Sequence, residues 1–168
     1  PDAALHYLAR MLAAGEDVKF IARRIVICAS EDVGNADPMA LVVAMNAANA
    51  VQFIGLPEAQ ITLGQAVTYI ASAPKSNAAC EGIFAALRDV KSRNGGAVPI
   101  HLRDAHYKGA AKLGHGVDYI YPHDYPGHFT RQQYLPKELS SAHYYAPSGN
   151  GAEKRLSEYL HQCWPERF

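Results

Sequence analysis

The sequence predicts an all-α fold, a bundle of five helices over residues 1–96 that resembles no sheet-bearing pattern. Apolar side chains recur at three- and four-residue spacing through that span, and each periodic stretch opens on a capping signal or closes on Gly or Pro. A third observation places the centre. Between Pro38 and Pro74 the only charged residue is Glu58. A surface helix sets a charged face opposite its apolar stripe. The stretch 38–55 has no such face, only a narrow line of amides, Asn46, Asn49 and Gln52. It belongs inside something, either the chain's own core or a neighbouring subunit.

The elements follow in order. Residues 2–14 form the first helix, with Ala4, Leu5, Leu8, Met11 and Leu12 at helical spacing, Asp2 favouring the positive end of the dipole and Gly15 as the stop. Asp17 caps a second helix running to Val33, with Val18, Ile21, Ile25, Cys28 and Ala29 inward and Gly34 as its end. Asp37-Pro38 is a paired start: Asp accepts from free N–H groups, and Pro at the first position lacks a donor that would go unused. That third helix ends at Gly55. A fourth opens at Pro57-Glu58 and ends before Pro74, burying Leu63, Ala66, Val67 and Ile70 and keeping Gln60, Thr68 and Ser72 polar. A fifth opens near Ser76-Asn77 and turns Cys80, Ile83, Phe84, Leu87 and Val90 inward, with an Asp89–Arg93 pair outside and Gly95-Gly96 as its end.

The character then changes. Residues 101–145 hold six of the eight histidines and seven of the ten tyrosines, punctuated by Gly and Pro. Helical periodicity survives only near 103–113 and 137–141. Residues 97–150 are therefore expected to be a long irregular His/Tyr-rich segment, the kind of loop that is functional or wrapped over a partner. Residues 151–168 hold a C-terminal helix with Leu156, Tyr159, Leu160 and Cys163 on one face.

Composition bounds what this can be. At 168 residues the chain is one ordinary domain that buries about 70% of its unfolded surface without a staple. It has no net charge, neither half is strongly one-sided, and no basic stripe marks a dedicated nucleic-acid module. Cys28, Cys80 and Cys163 read as small core residues of a reducing compartment, which places the protein in the cytoplasm. The amides and the Gly55–Pro57 break argue against a membrane span. A start at Pro1 directly in a helix suggests a piece of a larger protein.

Catalytic motifs are scarce. Gly109-Ala110-Ala111-Lys112-Leu113-Gly114-His115-Gly116 has the glycine spacing of a phosphate loop, but His115 and Gly116 stand where lysine and a hydroxyl are needed. No nucleophile elbow or metal-type cysteine spacing occurs. Asp104, His106, His115, Asp118, His123, Asp124 and His128 are the residues a metal-dependent enzyme would have to gather; the bland reading is that these rings pack and hydrogen-bond a coil with few backbone partners. The same segment offers stacking tyrosines beside cations, with Lys112, Tyr121, Tyr125 and Arg131 as candidate DNA contacts. The amide line points elsewhere, to a subunit contact through Met45, Asn46, Ala48, Asn49, Gln52 and Phe53, where amides bond across an apolar surface.

Four strings carry a resemblance over nearly the whole chain: FIARRIVICASEDVGNADP (20–38), APKSNAA (73–79), VPIHLRDAHYKGAAKLGHG (98–116) and YPHDYPGHFTRQQYLP (121–136). They resemble the C-terminal region of the replication-associated recombination protein A family (RarA or MgsA), AAA+ ATPases related to the Werner-helicase-interacting protein. The resemblance implies a helical, clamp-loader-collar-like region that forms a homotetramer. It also implies a parent protein with DNA-dependent ATPase activity in replication, recombination and repair at stalled forks, nucleoid-associated and partnered with DNA and single-strand DNA-binding protein. The family's ATP and magnesium sites lie in an N-terminal module with no counterpart here. The expectation is an oligomerisation domain that is not itself an enzyme and holds no cofactor, with a DNA-contacting surface as the alternative and a metal-dependent enzyme as a weaker one.

Overall fold

The computed structural model describes residues 1–92 and 95–168. The described residues are helical or irregular, with no strand among them. The helices are α1 (Asp2–Ala13), α2 (Val18–Cys28), α3 (Met39–Ile54), α4 (Ala59–Ser72), α5 (Ala78–Ser92) and α6 (Glu153–Cys163), with short 3-10 turns strung between α5 and α6. The all-α expectation holds. Arg93, the expected partner of Asp89, lies outside the described residues.

The chain divides into two compact units. The first is Pro1–Ile83 with Tyr145–Glu158, and the second is Phe84–Tyr144 with Tyr159–Phe168. This grouping differs from the division at residues 96 and 150 that composition suggested, because the stretch after Tyr144 returns to the first unit.

In the first unit α4 is the interior helix, packed against α1, α2 and α3. Its buried stripe is Ala59, Leu63, Ala66 and Ile70, and Leu63 joins Leu8, Ile21, Ala22 and Val51 in the main core cluster. A second cluster gathers Ala29, Val33, Ala40, Ala44 and Ile70. The caps read from the sequence are formed. Asp17 accepts from the Lys19 N–H at 3.0 Å, and Asp37 accepts from the Met39 N–H at 3.1 Å while Tyr69 O–H donates to its other oxygen at 2.8 Å. Asp17→Ala is expected to cost about 1 kcal/mol, read as a small drop in the urea midpoint with unchanged slope.

Two expectations need correction. The second helix does not run to Val33. Its α-helical part ends at Cys28, and a π turn (Ala29–Val33) and a 3-10 turn (Gly34–Ala36) follow. The reversal brings Gly34, at φ +50°, so close to Ser76 that a Cβ there would sit 2.7 Å from the Ser76 carbonyl oxygen; only glycine suits that place. On α5, Ile83, Phe84, Leu87 and Val90 were expected inward, yet all four are exposed. Periodicity identifies residues that share a face; it does not say what covers that face. Leu156 and Tyr159 of α6 are exposed for the same reason, while Cys163 is buried.

Candidate assembly surface and aromatic segment

The two uncharged helices have different explanations. That α4 lacks charge follows from its interior place. The inner stripe of α3, made of Ala40, Ala44, Ala47 and Val51, is buried too, but small residues fill it and leave the larger apolar side chains outside. Leu41, Val42, Met45, Phe53 and Ile54 are exposed, as are Asn46, Asn49 and Gln52. Val42, Asn46, Asn49 and Phe53 fall at i, i+4, i+7 and i+11, one line along the helix. Phe53 is 92% exposed and Ile61, at the start of α4, 71%. No charged residue interrupts this face along α3.

Of the six residues assigned to a contact, five are exposed. Ala48 is half-buried and packs against the core cluster around Leu63. Met45, Ala48 and Gln52 line a shallow cavity of about 320 Å³ with Lys19, Arg23 and Val26 of α2. The Asn46 amide donates to the Val42 carbonyl of its own helix at 2.8 Å, which holds the side chain along the helix, while its amide oxygen can still accept.

In the second unit the irregular segment carries side-chain bonds to backbone. Gln132 donates to the Ile120 carbonyl at 2.8 Å, and His101 bonds the Gln133 carbonyl at 3.0 Å. Phe129 meets Trp164 edge to face, centroids 5.6 Å apart. Arg131 donates to the Cys163 carbonyl at 3.0 Å and to Glu166 at 3.4 Å, so its guanidinium braces the end of α6. Lys112 stands exposed on the 3-10 turn Ala110–Leu113, while Tyr121 and Tyr125 stand exposed on a different stretch. The seven residues considered for a metal are not drawn into one cluster: among the described residues no three His, Cys, Asp or Glu side chains come together. Three of them, Asp104, His106 and His115, make local contacts instead. Asp104 accepts from the His106 N–H and contacts its ring, both at 2.9 Å, and these bonds lower its pKa. His115 pairs with Tyr107 at 2.7 Å. In the first unit, burial first and the Asp32 carboxylate second push the Cys28 thiol up to about 11, the opposite of an activated nucleophile.

The family profile described as MgsA AAA+ ATPase C terminal matches residues 1–164. The chain belongs to this family. It is 48% identical over 150 residues to the replication-associated recombination protein A of Bacillus subtilis, covering 89% of this chain and 35% of that protein. Against the protein of that name from Escherichia coli K12 it is 42% identical over 161 residues, 95% of this chain and 36% of the relative. The ATPase WRNIP1 of Dictyostelium discoideum is 38% identical over 146 residues, 86% of this chain and 17% of that protein. The chain thus spans roughly a third of the bacterial relatives it matches. Among the described residues no helix is long and apolar enough to cross a membrane.

What the sequence missed is Glu153. It opens α6 among charged neighbours and carries no periodic signal, yet it is fully buried. Ser76 O–H and Ser148 O–H each donate to it at 2.6 Å, Ser148 N–H at 2.8 Å and Tyr145 O–H at 2.7 Å. Burial raises its pKa and the bonds from Ser148, Ser76 and Tyr145 lower it; the bonds win and the net direction is down.

Proposed function

We propose that this chain is the assembly module of an AAA+ ATPase acting in DNA replication, recombination and repair. It joins four copies through the outer face of α3, so that the ATPase modules of the longer protein stand close enough for one to complete another's site. The carrying observation is that face: an uninterrupted line of exposed apolar side chains and amides on a helix whose other side is already buried. Exposed apolar surface of this extent on a water-facing helix marks association, and closed symmetry lets one patch serve every copy. The chain itself holds no ATP site. ATP and magnesium belong to the remainder of the longer protein, as do its contacts with single-strand DNA-binding protein, and the assembly works in the cytoplasm at the nucleoid.

Light scattering on the purified chain at micromolar concentration is expected to give four times the monomer mass. A monomer under those conditions would remove the reading. ATP turnover by the chain, abolished by a point change within it, would overturn the separate claim that it is not an enzyme.

A further inference from the structure

Helices α1, α2 and α4 leave a cavity of about 360 Å³ between them in the first unit. α1 packs on α4 and touches α2 little, and the small side chains of Ala4 and Ala71 do not fill the gap. The cavity has a direction. Leu8, Ile21 and Ile70 at its floor are buried, whereas Tyr7, Met11, Arg24 and Lys75 are exposed. The Cys28 thiol, kept protonated mainly by its burial, adds a small hydrophobe to the wall.

Charge sorts the same way. The first unit carries ten Asp or Glu against seven Lys or Arg. Yet among the described residues no acid lines the cavity, while two of the cations do. A third, Arg10, lies over the ring of Tyr7, its guanidinium carbon 5.6 Å from the centroid. The two lining cations are not equivalent. Lys75 Nζ donates to the Ile70 carbonyl at 2.7 Å and to the Ala73 carbonyl, and its charge is set against Asp32 and Glu31 around the Cys28 thiol. Arg24 has no hydrogen bond or ion pair among the described residues. A planar guanidinium of this kind grips a carboxylate with two parallel bonds.

Size selects the occupant. At roughly 30 Å³ per heavy atom, the share a water takes in the liquid, the cavity holds on the order of twelve atoms. A helix of a second copy, about 10–12 Å across, is too thick to enter, and a two-tailed phospholipid is too large. One unbranched acyl chain fits.

We infer that the first unit binds a free medium-chain monocarboxylate of about ten carbons, with its tail among Leu8, Met11, Ile21 and Ile70 and its carboxylate on Arg24. The tail supplies most of the affinity, about fourfold per buried methylene, and Arg24 selects the anion. Occupancy ties α1 to α2 and raises the melting temperature by mass action. No residue of α3 lines the cavity, so this site does not depend on how copies assemble.

The test uses the whole chain and sodium decanoate below its micellar concentration. The chain has three methionines. Met11 lines the cavity, whereas Met39 and Met45 stand exposed on α3. In methyl spectra of methionine-labelled protein, decanoate should shift the Met11 signal and leave the other two in place. Calorimetry should give one site per chain, tightening about fourfold per methylene from hexanoate to decanoate and gaining nothing further at tetradecanoate. Decyltrimethylammonium, with the same tail and the opposite charge, should bind at least about tenfold more weakly. Arg24→Gln should abolish that preference, and Ala71→Phe should fill the cavity and abolish decanoate binding with unchanged helical circular dichroism. The inference is overturned if Met39 or Met45 shifts in place of Met11, or if the cationic detergent binds as tightly as decanoate. It is equally overturned if Arg24→Gln lowers the mass of the parent, which would make the cavity a contact between copies. Uptake of the chain by phosphatidylglycerol vesicles, reversed by decanoate, would make a bilayer the occupant and overturn it too.

Discussion

Replacing Glu153 with Ala is expected to cost the first unit about 4 kcal/mol, a large share of the 5–15 kcal/mol that holds a typical domain together. The carboxylate is fully buried and accepts four hydrogen bonds, from Ser76, Tyr145 and both donors of Ser148. Removing the acceptor strands those donors, each costing about 1–3 kcal/mol when left dry. It also releases a seam. Ser76 lies between α4 and α5, and Tyr145, which accepts from the Asn35 amide at 3.3 Å, links to the connection before α3. The Ala152 N–H donates to the Ala36 carbonyl at 2.8 Å, and the Asn150 amide donates to the Lys75 carbonyl at 3.0 Å. Glu153 thus pins the returning segment Tyr145–Glu158 onto two helix connections of its unit. Glu153→Gln keeps the volume but turns a donating amide toward donors, and about half the effect is expected.

The same site sets an acid limit. The folded pKa of Glu153 lies below its ordinary value of 4.5. The stabilisation is therefore fully present above that unfolded value and is lost as pH falls through the folded one. Thermal melts of parent and Glu153→Gln between about pH 6 and pH 3 should converge toward the acid end. Curves that stay parallel would mean that the carboxylate is not what the pH change titrates.

Local chemistry was legible where it acts over a few residues. The Asp17 and Asp37-Pro38 starts, the Gly15 stop and the interior stripe of α4 all rest on neighbours in sequence, and all are formed. Glu153 was illegible because its donors come from 5 to 77 positions away, and no spacing rule reaches so far. The α5 stripe was misread for another reason. Ile83, Phe84, Leu87 and Val90 do share a face, but helical spacing is silent on whether that face meets a core or water. The α3 stretch shows the same ambiguity resolved by size. Alanines mark the side that packs closely within the unit, and Val42, Met45 and Phe53 mark the side left open.

That open side makes the sharpest prediction about assembly. Asn49→Asp and Phe53→Asp each place a charge on the outer line of α3. In the isolated subunit both side chains are exposed, so either change should alter folding stability by no more than about 0.5 kcal/mol. In an assembled interface the same carboxylate is buried without a partner, at a cost of several kcal/mol. At about 1.4 kcal/mol per factor of ten, association should weaken at least a thousandfold, giving smaller species with unchanged helical circular dichroism. Ala48→Glu is a poorer probe, because Ala48 is half-buried against the subunit's own core and the change would mix the two effects. Ala44→Asp is the control from the opposite stripe. It is 1% exposed in the second core cluster, so a charge there should unfold the subunit. The assignment of the outer face rests on this contrast. If Asn49→Asp and Phe53→Asp leave the mass unchanged while Ala44→Asp unfolds, the copies meet elsewhere, and the exposed Ile83, Phe84, Leu87 and Val90 stripe of α5 becomes the face to charge next.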